Sequence, residues 1–121
     1  MNCIVLIQPM QRAMKNCVQK NLTTFEKFWE EYDKEVHVSA DALVALKNSQ
    51  YLWQHKVWPE MITSTCMHGP IEKGKDVTDI GAVNNNYTSV NILGVPNVID
   101  SIYAMKKLIF EERMYTMEEL L

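Results

Sequence analysis

The fold of this chain is decided by the stretch Met67-His-Gly-Pro-Ile-Glu-Lys-Gly-Lys-Asp-Val-Thr-Asp-Ile-Gly-Ala82, which is followed by Asn97-Val-Ile-Asp-Ser-Ile-Tyr-Ala-Met-Lys-Lys-Leu-Ile-Phe-Glu-Glu112. In the second motif, Val98, Ile102, Met105 and Ile109 recur at helical spacing and predict a helix capped by Asn97. From Asp76 to Asn86 the apolar periodicity is lost, which predicts a loop. Tyr87 to Leu93 is rich in β-formers and predicts one strand.

These motifs resemble those of the glycyl radical enzymes of the pyruvate formate-lyase-like family. There a block close to GCIEKGKDVTxGGAxYN is followed by NVADSLAAIKKLVFEE and then by TxEEL. The counterparts here are Gly69 to Ala82, Asn97 to Glu112 and Thr116 to Leu120. Thr24-Phe-Glu-Lys-Phe-Trp-Glu-Glu-Tyr32 is similar to the family's TFEEFWEAYKKQ helix. The resemblance implies that residues 1–121 are a partial domain of this family, with the strongest match over 23–37 and 59–121.

The implied fold is α/β, a ten-stranded α/β barrel to which this chain contributes mainly outer helices and one or two strands. The implied chemistry needs a cysteine in a Gly-Cys-x-Glu setting, which becomes a thiyl radical, and a glycine in an Arg-Val-x-Gly-Tyr setting, which stores the radical. Neither setting occurs in this sequence. We therefore expect an interior fragment of a radical lyase or dehydratase of anaerobic metabolism, inactive alone, with no catalytic, cofactor-binding or metal-binding residue of its own.

Two departures lie inside the matched block. Pro70 stands where the family has a cysteine that is not the radical one, and Ile80 replaces the first glycine of Gly-Gly-Ala. The loop after Ala82 also differs from the family's, so details on the substrate side do not carry over. The resemblance further implies that the parent enzyme's glycine is activated by a radical S-adenosylmethionine enzyme, which is a partner only of a full-length form.

Length, charge and cysteine content restrict the function classes. At 121 residues the chain has the size of one domain. A net charge of −3 gives no basic footprint for nucleic acid or anionic membranes. No apolar run approaches the roughly 18 residues that span a bilayer, and the N-terminus lacks signal-peptide features. Three widely spaced cysteines indicate free thiols. These features predict a cytoplasmic protein.

The first half of the sequence predicts a strand and two helices. Cys3 to Ile7 fits a short buried strand, and Met10 to Val18 fits one or two helical turns after Pro9. Thr23 and Glu26 form a capping-box pattern that begins a long helix extending to Leu52. Its apolar stripe consists of Phe25, Phe28, Trp29, Tyr32, Val36, Ala40, Leu43 and Val44, and the charged residues predicted outside it are Glu30, Glu31, Lys34 and Glu35.

Further helices are predicted towards the C-terminus. Pro59 suits the first turn of a helix that runs to about His68, where Gly69 and Pro70 end it. Thr116 and Glu119 form a second capping box, and we expect that the helix it begins is cut after Leu121. From Thr23 onwards the prediction is a run of helix, helix, strand and helix, which is only a fraction of a closed architecture, because a single strand has no partner for its backbone groups.

Four candidate sites have weak support in the sequence. Gly69 to Lys75 has the glycine and lysine spacing of a phosphate loop, but Asp76 replaces the residue that binds magnesium. Cys66 and His68 are too few ligands for zinc. Cys17 is followed by Gln19, which cannot exchange a proton as glutamate does, so we expect a half-buried thiol. The aromatic residues favour core packing or contact with the missing barrel over base stacking: Trp29, Tyr51, Trp53 and Trp58. No serine or cysteine triad can be assembled from the three histidines.

Two hypotheses remain. The first is the interior fragment, whose partner is the remainder of the barrel. The second is a small helical interaction or structural protein that pairs with other barrel segments or forms a homo-oligomer, because the stripe that begins at Phe25 needs a covering surface. Nucleic acid and membranes are not expected as partners of either form.

Overall fold

The computed structural model describes residues 3–79, 81–83 and 89–121. It is mainly helical with a small parallel sheet, and its elements are β1 (Cys3–Val5), α1 (Ile7–Gln19), α2 (Phe25–Val57), α3 (Met61–Cys66), α4 (Pro70–Lys73), β2 (Asn91–Leu93) and α5 (Val95–Met105). A π-helix at Lys106–Glu111 follows α5, and 3-10 turns lie at Val77–Asp79 and Glu118–Leu120. Within these described ranges, no helix is long and apolar enough to cross a bilayer.

The chain divides into two compact units. The first unit joins Met1–Asp41 to Val90–Leu121, and the second unit is Ala42–Ser89. The first unit contains the sheet, α1, α5 and the N-terminal part of α2. The second unit contains the C-terminal part of α2 together with α3 and α4.

The predicted strand has a partner in the first unit. β1 and β2 pair in parallel with Ile4 opposite Ile92, and the Leu6 N–H donates to the Leu93 carbonyl over 3.0 Å. The expectation of a single unpaired strand was therefore wrong. Parallel pairing joins segments that are distant in the sequence, so no local pattern indicates it. β2 covers only the end of the predicted strand, whose first two residues lie outside the described ranges.

α1 is slightly longer than predicted. It begins at Ile7, and Pro9 fits its first turn because the first four N–H groups of a helix have no partner within it. Asn21 follows the helix with φ 51°, and the Leu22 N–H donates to the Cys17 carbonyl over 2.9 Å. This is a Schellman-type ending, in which asparagine adopts the left-handed backbone more easily than most residues.

The cap of α2 lies one residue after the predicted one, and the helix begins at Phe25. Thr24, and not Thr23, accepts through its Oγ1 from the Lys27 N–H over 3.4 Å. The Thr24 carbonyl also accepts from the Phe28 N–H over 3.1 Å, which closes the first turn. The prediction of Thr23 as the cap was wrong. The amide that is capped belongs to Lys27, and the hydroxyl three residues before it is that of Thr24. The long helix itself is confirmed and extends beyond Leu52 to Val57.

The first unit has one apolar core, formed by α1, α2 and α5. Phe28 and Ala13 have no exposed surface. The other members of this core are Met10, Met14, Cys17, Tyr32, Val98 and Met105. The predicted face of α5 is confirmed, since Ile102 and Ile109 are partly buried beside this core. The predicted stripe of α2 is confirmed only in part, because Trp29 is 50% exposed and Val44 is 57% exposed.

Ion pairs join α1 to α2 beside this core. Glu31 was predicted outside the packed face, which was wrong, because it is 7% exposed. Its Oε2 lies 2.7 Å from Lys20 Nζ and its Oε1 lies 2.9 Å from Lys34 Nζ. Hydrogen bonds from these two lysines lower the pKa of Glu31. Arg12 Nε donates to Glu35 Oε2 over 2.7 Å. The burial of Glu31 is possible because both of its oxygens have cationic partners.

The second unit has shorter helices than predicted. α3 begins at Met61 and ends at Cys66, so the predicted start at Pro59 and end near His68 were wrong. The Ser64 N–H donates to the Glu60 carbonyl over 2.9 Å, which places the helix start after the proline. Pro70 opens α4 at its first position instead of only ending the preceding helix.

Two caps were predicted near the C-terminus, and one of them is confirmed. α5 begins at Val95 after Gly94, so Asn97 lies inside the helix and its prediction as the cap was wrong. The second capping box is present. The Thr116 N–H donates to Glu119 Oε2 over 2.7 Å, and the Glu119 N–H donates to Thr116 Oγ1 over 3.3 Å.

Candidate functional site

The family-like block forms a closed loop from His68 to Val83 within the second unit. The Val83 N–H donates to the His68 carbonyl over 3.0 Å, so the two ends of the loop meet. Lys73 Nζ donates to the Ala82 carbonyl over 3.3 Å across the same loop. Ile80 lies outside the described residues, and so does the run of asparagines at 84–86. The predicted loop is confirmed for the part that the structure describes, which also includes the 3-10 turn.

Asp76 ties this loop to α3. Its Oδ2 accepts from the Ser64 hydroxyl over 2.8 Å, and its Oδ1 accepts from the Thr78 N–H over 2.9 Å. The Ser64 Oγ in turn accepts from the Val77 N–H over 2.9 Å. Hydrogen bonds from Thr78, supported by the one from Ser64, lower the pKa of Asp76 to about 2. Asp76 is therefore ionised at neutral pH, and its acceptor atoms are used to hold the loop.

The loop needs two glycines because the backbone approaches itself closely. A Cβ on Gly81 would lie 2.4 Å from the Lys75 carbonyl oxygen. A Cβ on Gly69 would lie 2.7 Å from the Gly81 carbonyl oxygen, and Gly69 also has φ 106°. Both distances are far below van der Waals contact, so any larger residue would force the loop open. Close approach of the backbone therefore explains both glycines.

The donors of the loop are engaged within it, which argues against a phosphate cradle. The Gly69 N–H donates to Glu72 Oε2 over 3.0 Å. The Gly74 N–H donates to the Ile71 carbonyl over 3.2 Å, and the Lys75 N–H donates to the Pro70 carbonyl over 3.0 Å. A phosphate loop instead needs amides that converge on an open concavity after a strand. Here a helix, α3, precedes the loop instead of a strand. The N–H groups of the loop hold its own conformation and do not converge on a ligand.

The cysteines lie in three different environments. Cys17 is 1% exposed in the core of the first unit, so the prediction of a half-buried thiol was wrong. Burial, and then the charge of Glu31, raise the pKa of the Cys17 thiol. Cys3 is half-buried in β1, and Cys66 is exposed. A neutral buried thiol is a poor nucleophile, so the geometry gives Cys17 a packing role.

No group of three or more metal-ligating side chains occurs in the part of the chain that the structure describes. Cys66 and His68 are both exposed at the end of α3. The aromatic residues also differ from the core-packing prediction, because Trp29, Trp53 and Trp58 are 50%, 59% and 75% exposed. Lys56 Nζ lies 5.1 Å from the ring centre of Trp53. Of the two roles predicted for the aromatic residues, core packing was wrong for these tryptophans, and contact with the missing barrel stays a prediction.

In parallel α/β sheets, ligands usually bind at the carboxyl ends of the strands. In this chain those are the ends of β1 and β2. The residues that follow the strands there are Leu6, Ile7, Gly94 and Val95, none of which can exchange a proton. Gly94 has φ 81°, and a Cβ there would lie 3.2 Å from the Ile7 side chain. This end of the sheet therefore has an apolar turn in place of a catalytic group.

Sequence reasoning missed the interaction of Asp76 with Ser64 and the pairing of β1 with β2. A local signal existed for the first, because Asp76 and Thr78 have the spacing of an Asx turn. Ser64 lies 12 residues before Asp76, and no local pattern connects them.

Comparison with known proteins adds independent information. The model of the pyruvate formate lyase-like family matches residues 8–121. The chain is also similar to the indoleacetate decarboxylase of Tractidigestivibacter scatoligenes, with 28% identity over 100 residues. That match includes 83% of this chain but only 11% of the relative's length. The likeness therefore concerns one segment of a much longer protein.

Proposed function

The chain belongs to the pyruvate formate lyase-like family of glycyl radical enzymes, and from this premise we propose that it acts as a scaffold segment of such an enzyme's α/β barrel. The family match over residues 8–121 is the observation that carries the proposal. The parallel pairing of β1 with β2 supports it, because α1 and α5 each follow one of these strands as helices do in α/β barrels.

The segment contributes support, and the radical residues belong to other parts of the enzyme. The glycines near the family block are explained by close backbone contacts, as at Gly81, and not by a radical-storing setting. Cys17 packs in the core of the first unit, and Gln19 follows it where the Gly-Cys-x-Glu setting has glutamate, so this cysteine does not match the radical setting. The chain alone is therefore inactive in C–C or C–X bond cleavage.

Exposed apolar side chains on β2 and α5 indicate that another part of the enzyme covers them. Ile92 is 56% exposed, Ile99 is 60% exposed and Tyr103 is 68% exposed. A two-stranded sheet is marginally stable alone, and further strands and helices would cover these side chains. The remainder of the barrel is the partner that fits this surface.

Electron paramagnetic resonance tests the absence of radical chemistry. The purified chain is incubated anaerobically with S-adenosylmethionine, a reductant and the activating enzyme of a full-length family member. We expect no glycyl radical signal from the chain, whereas the full-length enzyme in a parallel sample acquires one. A glycyl doublet on the 121-residue chain would overturn the proposal.

The second candidate function is a small helical interaction protein. Its original support is reduced, because α1 covers Phe28 and Tyr32 of the stripe, but Trp29 remains exposed. This function predicts a defined homo-oligomer or hetero-complex with little binding of hydrophobic dye. The scaffold segment predicts dye binding and association without fixed stoichiometry. Sedimentation velocity with a dye titration separates the two.

A further inference from the structure

A cavity of about 670 Å³ lies in the first unit, between the end of α1 and the segment that follows the π-helix. This volume is within the range of small-molecule sites. The apolar part of its lining consists of Cys17, Val18, Leu22, Ile109, Phe110 and Met117. Burial raises the pKa of the Cys17 thiol, which disfavours its charged form. These side chains suit the hydrocarbon part of a ligand.

Arg113, whose side chain is positively charged, is one of the residues that line this cavity. It has φ 53°, a left-handed backbone that disfavours residues with a Cβ. Among residues 3–79, 81–83 and 89–121, its guanidinium has neither an ion pair nor a hydrogen bond. Two acidic residues close to it in sequence have other partners, since Glu112 lies 3.8 Å from Lys107 and Glu119 accepts from Thr116, whereas Glu118 lines the same cavity as Arg113.

We propose that this cavity binds a small carboxylate with an apolar body, and that Arg113 pairs with the carboxylate group. The planar guanidinium presents parallel N–H donors that match the two oxygens of a carboxylate. Thr23 and Tyr115 also line the cavity, and their side chains carry hydroxyl groups of the kind that donate to an anion. Glu118 is the one carboxylate in the described lining, and it disfavours a bound anion.

Hexanoate and its neutral analogue hexanamide are suitable probes of the intact 121-residue chain. Methionine methyl groups labelled with carbon-13 report the location of binding by nuclear magnetic resonance. Met117 lies in the proposed site, whereas Met10, Met14 and Met105 line a separate cavity of about 490 Å³. We expect hexanoate to shift the Met117 signal in a saturable way and hexanamide to bind more weakly. Shifts confined to the other three methionines, or no saturable shift, would overturn the proposal.

Three variants test the role of charge. Arg113→Asn removes the charge and keeps a residue that tolerates the left-handed backbone, so hexanoate should bind about fivefold more weakly, as expected for an exposed ion pair. Arg113→Lys should keep most of the affinity, and Glu118→Gln should increase it. Lys15→Gln is the matched control, because Lys15 lines the other cavity.

Unchanged hexanoate affinity in Arg113→Asn, or a loss of affinity in Lys15→Gln, would contradict the proposal. The remaining methionine signals show whether each variant keeps the fold. The test involves no radical chemistry, so its failure leaves the scaffold function unaffected.

Discussion

Replacing Phe28 with alanine should destabilise the first unit far more than replacing its neighbour Trp29. Phe28 has no exposed surface, whereas Trp29 is 50% exposed. The Phe28 ring centre lies 6.2 Å from that of Phe25, 6.4 Å from that of Tyr32 and 6.4 Å from that of Phe110. Removal of a buried phenylalanine loses its transfer free energy and leaves a cavity, which costs about 3–5 kcal/mol. Replacing the half-exposed Trp29 with alanine should lower the free energy of unfolding by only about 1 kcal/mol, because less apolar surface is buried there.

Amide hydrogen exchange of α1 peptides measures this difference directly. α1 packs on Phe28, so its opening free energy should fall by the cost of each substitution. Far-ultraviolet circular dichroism verifies that both variants remain helical. If Trp29→Ala reduced the protection of α1 as much as Phe28→Ala does, or more, then α2 would present its other face to α1 and the described core would be wrong.

Three further predictions concern the loop and the thiols. Gly81→Ala should increase hydrogen exchange of the described part of the loop, since its Cβ would meet the Lys75 carbonyl oxygen. Gly74→Asn should alter exchange less, because nothing lies within 4 Å of that position and asparagine tolerates its φ of 60°; equal effects would refute the close approach. The pKa of Asp76 is lowered from 3.8 to about 2, so its stabilisation is present above about pH 4 and lost as the pH falls through about 2. Urea midpoints at pH 5 and pH 2 should therefore differ less in Asp76→Asn than in the wild type, and an unchanged difference would exclude this role. Cys66 should react rapidly with a chromogenic disulfide reagent and Cys17 only after unfolding, because they are exposed and buried respectively; equal rates in variants that retain one cysteine each would contradict the described burial.

Local patterns predicted the elements whose cause is local. The apolar spacing of α2 and α5 follows from the helical repeat, and the capping box at Thr116 depends on residues three apart. The cap of α2 was displaced by one residue because Thr23 and Thr24 are both competent acceptors. Such errors are small because the competing residues are adjacent.

Features that depend on distant residues were not predicted. Glu31 is buried because Lys20, which follows α1, reaches one of its oxygens over 2.7 Å. β1 is the partner of β2 although most of the chain separates them. The Trp58 side chain is 75% exposed, because the residues that the structure describes cover only a quarter of it. In each case a contact distant in sequence, or its absence, decides the outcome.

We propose above that this segment works as part of a larger glycyl radical enzyme, and its partners in the cell test this proposal. The most direct test is native isolation of the protein from cells that produce it, through an antibody against the exposed face of α2, followed by size-exclusion chromatography and peptide mass spectrometry. We expect its peptides to co-purify, in one polypeptide or one stoichiometric complex, with peptides that contain the Gly-Cys-x-Glu and Arg-Val-x-Gly-Tyr settings. A free species of 14.0 kDa without either setting would contradict it.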